Sequence, residues 1–373
     1  MVSRLRSVSF ALTSIVLSSL AVAILLEILL RCFPVNEGLR ALSVNQDNPV
    51  LRYAPGRTSI YSKGWTFSVV NKGRTNNYGF ISNIDYDPNS IAPLLAIIGD
   101  SYVEAAMVPY AQTTAAILAG SVGQNGRVYS FGSSGSSLSQ YLAYAQYVRE
   151  TFRPACLAIL IIGNDFDESL LKYKSEPGYH YFEEMPNGEL ALKRIDREVN
   201  PWRRILASSA LAMYLVVNLE ASQAWERLKA FRQSYSVAGQ SYAGNVPAHV
   251  NDTRLLNSQR AVDAFLSMLP SMAGIEPSRI ILGMDGNRRE IYGNRQEPVA
   301  GNYFGAMRRY LIRAAEAKGF EVIDMQQKFI AHFRQHGQRF EFPTDGHWNE
   351  VGHAVFAQAM QDSPAYKGCF AIH

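Results

Sequence analysis

The chain has 373 residues, a net charge of +4, 18% charged residues and 47% hydrophobic residues. This composition is that of a folded protein and excludes an intrinsically disordered chain, and the length suffices for one large domain or two small ones. Lysine and arginine are dispersed, without a long basic run or an aromatic-basic motif, which argues against nucleic acid as a partner.

The N-terminal region contains an apolar run at residues 8–30, preceded by Arg4 and Arg6 and carrying one charge, Glu27, near its far end. A buried core helix is the weaker alternative to a membrane span, because the run is terminal, long and apolar on every face. Positive charge before it predicts a cytoplasmic N-terminus and an exported remainder. Ala21-Val22-Ala23 has the form of a cleavage site, but the apolar run continues after it, so we expect an uncleaved signal anchor rather than a removed signal peptide.

Changes in composition predict three regions along the chain. Residues 1–34 form a cytoplasmic stub and the anchor, residues 35–90 a connector with short strands, and residues 91–373 the main domain. Beyond Leu94, apolar runs alternate with helical spacing, which predicts a three-layer α/β/α fold with a mainly five-stranded parallel sheet. The predicted strands are 94–98, 127–131, 156–162, 279–284 and 320–325, and the predicted helices are 113–119, 138–152, 303–318 and 350–361.

This alternation is interrupted at residues 170–277, which we interpret as a helical insertion. Residues 205–219 are apolar but too short for a second membrane span, and they are predicted to begin a long helix that continues through Trp225 and Leu228. The insertion is either a lid or substrate-binding cap, or a helical buttress without substrate contact. The sequence leaves both alternatives open.

The three cysteines, Cys32, Cys156 and Cys369, give no disulfide framework. An exported domain would allow Cys156 and Cys369 to pair, but Cys156 begins an apolar strand and also suits a buried free thiol. No spacing typical of a metal site occurs, and we predict neither a metal nor another cofactor.

Three polar motifs each follow a predicted strand, at the sheet edge where ligands of parallel sheets bind. The first, Gly99-Asp100-Ser101, places a serine at a strand-to-helix turn. Such a turn exposes the hydroxyl, and the N–H groups of the helix N-terminus face a developing oxyanion. The alternative is that Asp100 or Ser101 only caps the helix.

The second motif is Gly132-Ser133-Ser134-Gly135 and the third is Gly163-Asn164-Asp165. Because Gly135 has no Cβ, its backbone N–H can approach a substrate closely, although a plain turn is the alternative. The amide of Asn164 could donate to an oxyanion. Its alternative role is an Asx-turn that closes the strand.

A possible catalytic base follows the fifth predicted strand, where Asp345 and His347 lie two residues apart. In an extended stretch both side chains project to one side, so the carboxylate can bond one imidazole nitrogen and leave the other to take the Ser101 proton. His353 competes for this role, but its place at the start of the last helix favours capping or packing. The histidines without a comparable setting are His180, His249, His332, His336 and His373.

The order of the four motifs resembles the SGNH (GDSL) hydrolase superfamily, from about residue 94 to residue 359 with the insertion between. The resemblance implies a flavodoxin-like fold in which Ser101 is the nucleophile. It also implies that the N–H groups of Ser101 and Gly135 and the side chain of Asn164 form the oxyanion hole, with Asp345 and His347 completing a triad.

Two positions depart from the superfamily pattern. Ile162 stands where the third motif has its first glycine, and only Gly346 separates Asp345 from His347, where two residues are usual.

The remaining motif residues, which the resemblance implies as supports of the site, are Gly99, Asp100, Gly163 and Asp165.

The N-terminal half is similar to a group of membrane-anchored bacterial SGNH proteins, on the basis of Leu26–Arg31 and of an Asn-x-Gly-Phe turn at residues 77–80. The resemblance implies a single-pass protein of the bacterial inner membrane with its catalytic domain in the periplasm or outside. It also implies a substrate among the acyl esters of envelope or secreted carbohydrates, and possible partnership with envelope polysaccharide machinery.

These residues together predict a serine-dependent ester hydrolase or O-acyltransferase, since both share one acyl-serine intermediate. The expected acyl group is chiefly acetyl. The alternative is a membrane-anchored carbohydrate- or envelope-binding protein that keeps an inactive site. A flavodoxin-like cofactor-binding module is disfavoured, because the spacing of a phosphate-binding loop is missing.

Overall fold

The computed structural model describes residues 2–219, 242–243, 246–247, 250–293 and 302–371. Among these, residues 2–38, 59–72 and 200–219 form a smaller compact unit, and the others form a larger one.

Strands and helices are numbered here in chain order over the described residues. The strands are β1 Thr58–Lys63, β2 Val69–Arg74, β3 Leu94–Gly99, β4 Arg127–Gly132, β5 Cys156–Ile161, β6 His180–Glu184, β7 Leu190–Arg194, β8 Tyr242–Ala243, β9 Val246–Pro247, β10 Ile280–Met284, β11 Glu321–Asp324, β12 Glu341–Phe342 and β13 Asp345–Trp348. The helices are α1 Val2–Leu30, α2 Ser101–Glu104, α3 Thr114–Val122, α4 Leu138–Phe152, α5 Asp165–Glu168, α6 Pro201–Leu206, α7 Ala210–Met213, α8 Asp252–Ala273, α9 Arg288–Tyr292, α10 Tyr303–Ala317, α11 Met325–His336, α12 Glu350–Asp362 and α13 Pro364–Cys369.

The larger unit is built on a five-stranded sheet in the order β11-β10-β5-β3-β4. All four strand pairings are parallel, with Ile98 of β3 opposite both Phe131 of β4 and Ile159 of β5. Every residue of β3 and β5 is buried, because helices cover both faces of the sheet. The structure confirms the predicted α/β fold with a five-stranded parallel sheet.

Two hydrophobic clusters lie on opposite faces of this sheet. Ile98 belongs to the cluster formed with α4, α8 and α10, and its neighbour Ile97 belongs to the cluster formed with α3, α11, α12 and α13. Successive residues of a strand point to opposite faces, so a continuous apolar run supplies both clusters. The result is a three-layer arrangement that leaves the carboxyl ends of the strands to carry the polar motifs.

The segment predicted as a helical insertion is only partly helical, which corrects that expectation. Residues 180–194 form the antiparallel hairpin β6–β7, whose turn contains Asn187-Gly188. Helix α8, within the same segment, packs in the core, because Phe265 and Leu266 are buried in the same cluster as α4. Burial of α8 in a core layer suits the buttress alternative better than a lid for this helix.

The long helix predicted to begin at residue 205 is also interrupted. Helix α6 ends at Leu206, and α7 begins after Ser209, whose hydroxyl accepts the N–H of Ala212 at 3.1 Å. A short π-helical turn at Tyr214–Asn218 follows. Serine competes for backbone hydrogen bonds and favours such caps over helix interiors, which explains the break. Trp225 and Leu228 lie outside the described residues.

Helix α1 has one stretch, Arg6–Leu30, with the length and composition to cross a membrane, and no part of its most apolar window is buried within the protein. It is the one such helix among the residues that the structure describes. The three cysteines are free thiols, with Cys156 and Cys369 buried in the larger unit and Cys32 exposed.

Candidate active site

Ser101 is the first residue of α2, directly after strand β3. The side chain of Asp100 caps this helix and accepts the N–H of Tyr102 at 2.9 Å. The turn is tight because a Cβ on Gly99 would lie 2.4 Å from the side chain of Val103, and one on Gly132 would lie 2.4 Å from the backbone nitrogen of Glu104. Glycine at these two positions therefore lets α2 lie directly against the ends of β3 and β4.

Asp100 is buried beside the serine, and its capping role agrees with the alternative considered for it from the sequence. Burial raises the pKa of its carboxyl to about 6. The Ser101 hydroxyl lies 3.3 Å from Asp100 Oδ2, which makes this carboxylate one of two acceptors near the serine oxygen. Ser101 itself is partly exposed.

The second acceptor is His347, brought to the serine by strand β13. His347 Nε2 lies 2.8 Å from Ser101 Oγ, across 246 positions of sequence. On the other side of the ring, Nδ1 hydrogen-bonds to Asp345 Oδ1, which also accepts the His347 backbone N–H at 3.2 Å. The i, i+2 spacing predicted from the sequence thus places the carboxylate on one ring nitrogen and the serine on the other.

Aromatic side chains fix the loop that carries this histidine. The Tyr102 hydroxyl donates to the Gly346 carbonyl at 2.9 Å, and the Tyr102 ring meets the Trp348 ring edge-on at 5.5 Å. The Trp348 indole N–H donates to Asp285 at 3.1 Å, at the end of β10. Trp348 is fully buried, so the residue that follows His347 anchors this loop in the core.

The second motif forms a loop whose carbonyl groups are held by neighbouring side chains. Gly135 has φ +82°, a left-handed conformation that favours glycine. The Tyr179 hydroxyl donates to the Ser134 carbonyl at 2.6 Å, and Lys174 Nζ donates to the Gly135 carbonyl at 3.0 Å. The Ser134 hydroxyl donates to the buried carboxylate of Glu104. The carbonyl groups of Ser134 and Gly135 are therefore both held by side chains from elsewhere in the fold.

The third motif follows β5 and begins the short helix α5. Asp165 is fully buried, and its Oδ2 accepts hydrogen bonds from the Ile162 N–H and the Tyr141 hydroxyl, both at 2.9 Å. Burial raises the pKa of its carboxyl well above the usual range. Asn164 makes no side-chain capping hydrogen bond, which disfavours the Asx-turn alternative. Its Oδ1 atom is buried and has no partner within the described chain. Asp165 therefore closes the strand, and the Asn164 side chain is not used for that purpose.

Several residues that support the site were not identified from the sequence. Glu104 also accepts the Tyr53 hydroxyl, and burial raises the pKa of its carboxyl. Lys174 bridges the Gly135 carbonyl and the carboxylate of Glu168, 2.6 Å away, and so connects the second motif to the helix after Asn164. Only Glu104 had a local signal, since it lies three residues after Ser101 and can share a helix face with it.

The competing histidine, His353, is buried and makes its contacts with Thr114. Its Nδ1 lies 3.1 Å from the Thr114 hydroxyl, between helices α12 and α3, and its Nε2 has no partner among the described residues. Burial lowers its pKa to about 3. Such a histidine stays neutral and packs between two helices. His249 and His373 lie outside the described residues.

His353 leads to a prediction about stability at low pH. Folded His353 stays neutral down to about pH 3, whereas the unfolded chain binds the proton near the ordinary value of 6.5. Between these values the unfolded state holds more protons, so stability falls as pH falls, by up to about 1.4 kcal/mol per pH unit for this group. Urea unfolding at pH 7, 6 and 5 is expected to show a steeper loss for the wild type than for His353→Gln.

The pH profile of the wild type is read against that of His353→Gln because other groups titrate in the same range. The raised pKa of Asp100 acts in the opposite direction, and the lowered pKa of His180 acts in the same direction, but both are present in wild type and variant. Parallel pH profiles for the two chains would contradict a neutral buried His353.

No protein-family model and no curated protein sequence matches the chain. Among solved structures, an α/β hydrolase from the metagenome of Lake Arreo, Spain, has 16% identity and a TM-score of 0.41, and the match covers 77% of this chain and 100% of that one. A member of the lipolytic G-D-S-L family from Veillonella parvula DSM 2008 has 11% identity and a TM-score of 0.38, covering 73% and 98%. The acetyl xylan esterase AlAXEase has 10% identity and a TM-score of 0.39, covering 72% and 98%.

The fold of this chain is established by the strand order and register of the sheet. The three polar motifs lie at the carboxyl ends of β3, β4 and β5. In the part of the chain that the structure describes, no group of three or more His, Cys, Asp or Glu side chains is arranged to hold a metal ion.

Proposed function

We propose that this protein is a serine-dependent ester hydrolase that acts through an acyl-serine intermediate. The observation that carries the proposal is the arrangement around His347, with Nε2 2.8 Å from the Ser101 hydroxyl and Nδ1 on the carboxylate of Asp345. A hydroxyl in contact with an imidazole that a carboxylate orients is the constellation of a serine nucleophile with its base.

In the proposed mechanism, His347 takes the Ser101 proton as the serine oxygen attacks the ester carbonyl. Asp345 holds the ring in the tautomer with its proton on Nδ1 and stabilises the imidazolium that forms. The imidazolium then protonates the leaving alcohol, which departs as the acyl-serine forms. Water attacks this intermediate with His347 again as base, and the acid and free Ser101 are released.

The negative charge on the carbonyl oxygen is proposed to be stabilised by three donors: the backbone N–H groups of Ser101 and Gly135 and the side-chain amide of Asn164. The Gly135 N–H lies in the Ser134–Gly135 peptide, whose carbonyl is held by the Tyr179 hydroxyl, and the Asn164 side chain makes no capping bond. Both features support these roles, because donors that are oriented in advance need no reorganisation during the reaction. In this proposal Gly99, Asp100, Gly163 and Asp165 position the three motifs.

The proposed substrates are acyl esters, chiefly acetyl esters, of an envelope or secreted carbohydrate. This part rests on the motifs that resemble membrane-anchored bacterial SGNH proteins. An O-acyltransferase would pass the same acyl group from Ser101 to a sugar hydroxyl instead of to water. The alternative of an inactive binding protein is disfavoured, because the serine–histidine–aspartate contacts are complete.

The proposed location is the inner membrane of a bacterium, with a cytoplasmic N-terminus and the site outside the cytoplasm. The length and apolarity of α1 and the arginines before it support this placement. Residues 1–34 are then the stub and anchor, residues 35–90 a connector, and residues 91–373 the hydrolase domain, with envelope polysaccharide machinery as a possible partner.

The experiment that tests the proposal is trapping of the nucleophile in the full chain in detergent. A serine-directed phosphonate is expected to add one phosphonyl group to the peptide that contains Ser101, identified by tandem mass spectrometry, and to leave Ser101→Ala unlabelled. Incubation with acetyl esters, with and without oligosaccharide acceptors, then distinguishes transfer to water from transfer to a sugar. Labelling at another residue, or no labelling of the folded chain, would contradict the mechanism.

A further inference from the structure

The smaller unit exposes large apolar side chains on residues 200–219. Trp202 is 73% exposed, Leu206 60% and Val216 62%, and Trp65 on the β1–β2 hairpin of the same unit is 71% exposed. Contiguous exposed apolar residues are uncommon on water-facing protein surfaces and mark contact with a membrane or another protein. Either a membrane or another protein could therefore cover these side chains.

The membrane helix and this segment are joined by Glu27, the one charge within residues 8–30. Its carboxylate accepts the backbone N–H of Ala210 at 3.1 Å, that of Leu211 at 2.9 Å and the hydroxyl of Ser209 at 2.8 Å. These are the N-terminal groups of α7. A carboxylate in an apolar run is costly unless it is paired and hydrogen-bonded, and here α7 supplies those partners.

A second set of contacts secures the same end of α1. Arg31 donates to Glu27 at 2.9 Å and to the Ser208 carbonyl at 3.1 Å. Phe33, just after α1, stacks on Phe67 with ring centroids 5.6 Å apart, and Phe67 in turn contacts the ring of Tyr214 at 5.6 Å. The end of α1, the hairpin and residues 208–218 therefore form one connected cluster.

The hairpin side of this cluster is held by hydrogen bonds as well. The Tyr214 hydroxyl donates to the Trp65 carbonyl at 2.8 Å, and Asn218 Nδ2 donates to the Ser62 hydroxyl at 2.8 Å. Trp65 and residues 208–218 thus keep a fixed position relative to the last turn of α1. Any depth that α1 takes in a bilayer also sets the depth of this cluster.

We propose that residues 200–219 and Trp65 lie in the interface of the bilayer that α1 spans, at the level of its C-terminal end. Glu27 is within one turn of the end of α1 at Leu30, so the N-terminus of α7 lies at the boundary between acyl chains and headgroups. Exposed tryptophan and leucine side chains with an arginine nearby are typical of that layer. The proposal requires α1 to be a membrane span, as in the proposed function, and is independent of the catalytic mechanism.

The test is quenching of tryptophan fluorescence by brominated lipid in the full chain reconstituted in phosphatidylethanolamine/phosphatidylglycerol vesicles. The difference between wild type and Trp202→Phe reports Trp202. We expect brominated acyl chains to remove most of this difference signal, and aqueous acrylamide to affect it little. Trp348→Phe is the matched control, because Trp348 is fully buried in the core of the larger unit and its signal should respond to neither quencher.

Two results would overturn the proposal. The first is a Trp202 signal that acrylamide quenches and brominated lipid does not. The second is a Trp202 signal that neither quencher affects, in a protein whose mass in detergent is twice that of one chain. If Leu206→Asp restores the mass of a single chain, the surface is assigned to contact with a second copy. Alkaline carbonate extraction tests the membrane span separately from the interfacial position of residues 200–219. A chain that carbonate releases from the membrane lacks the span. A chain that is retained but has an unquenched Trp202 contradicts only the interfacial position.

Discussion

Replacing His347 by alanine is expected to lower kcat for p-nitrophenyl acetate by about 10³-fold or more. The imidazole is the acceptor nearest the Ser101 hydroxyl, and without it the serine must attack as a neutral alcohol. The other acceptor, Asp100 Oδ2, is 3.3 Å away on a carboxylate that already caps α2. A loss below tenfold would assign the role of base to Asp100 instead.

The double variant Ser101→Ala, His347→Ala provides a sharper measurement of the same mechanism. Because a nucleophile and its base act as one unit, the double variant should be no slower than either single variant. His336→Ala, at the exposed end of α11, is the matched control and should keep wild-type kcat. Losses that add in the double variant would mean that serine and histidine act independently, which contradicts the proposed triad.

The strands of the sheet could be predicted from the sequence because most of them are buried on both faces. In β3 and β5 every position is buried, so the apolar run itself marks the strand, and the predicted bounds differ from the observed ones by a residue. A polar residue ends the run where the strand leaves the sheet. Because polar residues occur where a buried strand leaves the sheet, the polar motifs mark the strand ends.

The region between β5 and β10 was harder to predict, because local periodicity does not tell which neighbour an element packs against. Helix α8 has an amphipathic pattern that suits either a surface insertion or a core layer. Its assignment to the core depends on Phe265 and Leu266 meeting α4, more than a hundred residues earlier in the chain. Likewise, nothing in the sequence near Glu27 indicates that its partners are Ser209 and the N–H groups after it.

The candidate site shows the same division between local and distant information. Residue types and the i, i+2 spacing predicted the Asp345–His347 pair, since both properties are local. The contacts that hold the Ser134–Gly135 loop are not local: Ser134 is 30 positions from Glu104, and Gly135 is 39 positions from Lys174. No spacing rule connects such pairs, so they were found only in the folded chain.

Asn164→Ala is expected to lower kcat for p-nitrophenyl acetate by about 10²- to 10³-fold and to change KM little. A donor that bonds the oxyanion but not the ground-state carbonyl acts on the transition state alone, so its loss appears in kcat. The fold should be unaffected, because Asn164 makes no capping bond and Asp165 closes the strand. Circular dichroism and urea unfolding of the variant would check this.

A matched substitution, Asn187→Ala, removes an amide from the exposed turn of the β6–β7 hairpin and should leave kcat unchanged. Asn164→Asp is the more demanding variant, since it keeps the shape and replaces a donor with a negative charge. Repulsion of the oxyanion should make this variant at least as slow as Asn164→Ala. If Asn164→Asp were faster than Asn164→Ala, the side chain would act by packing, and the oxyanion hole would consist of backbone N–H groups alone.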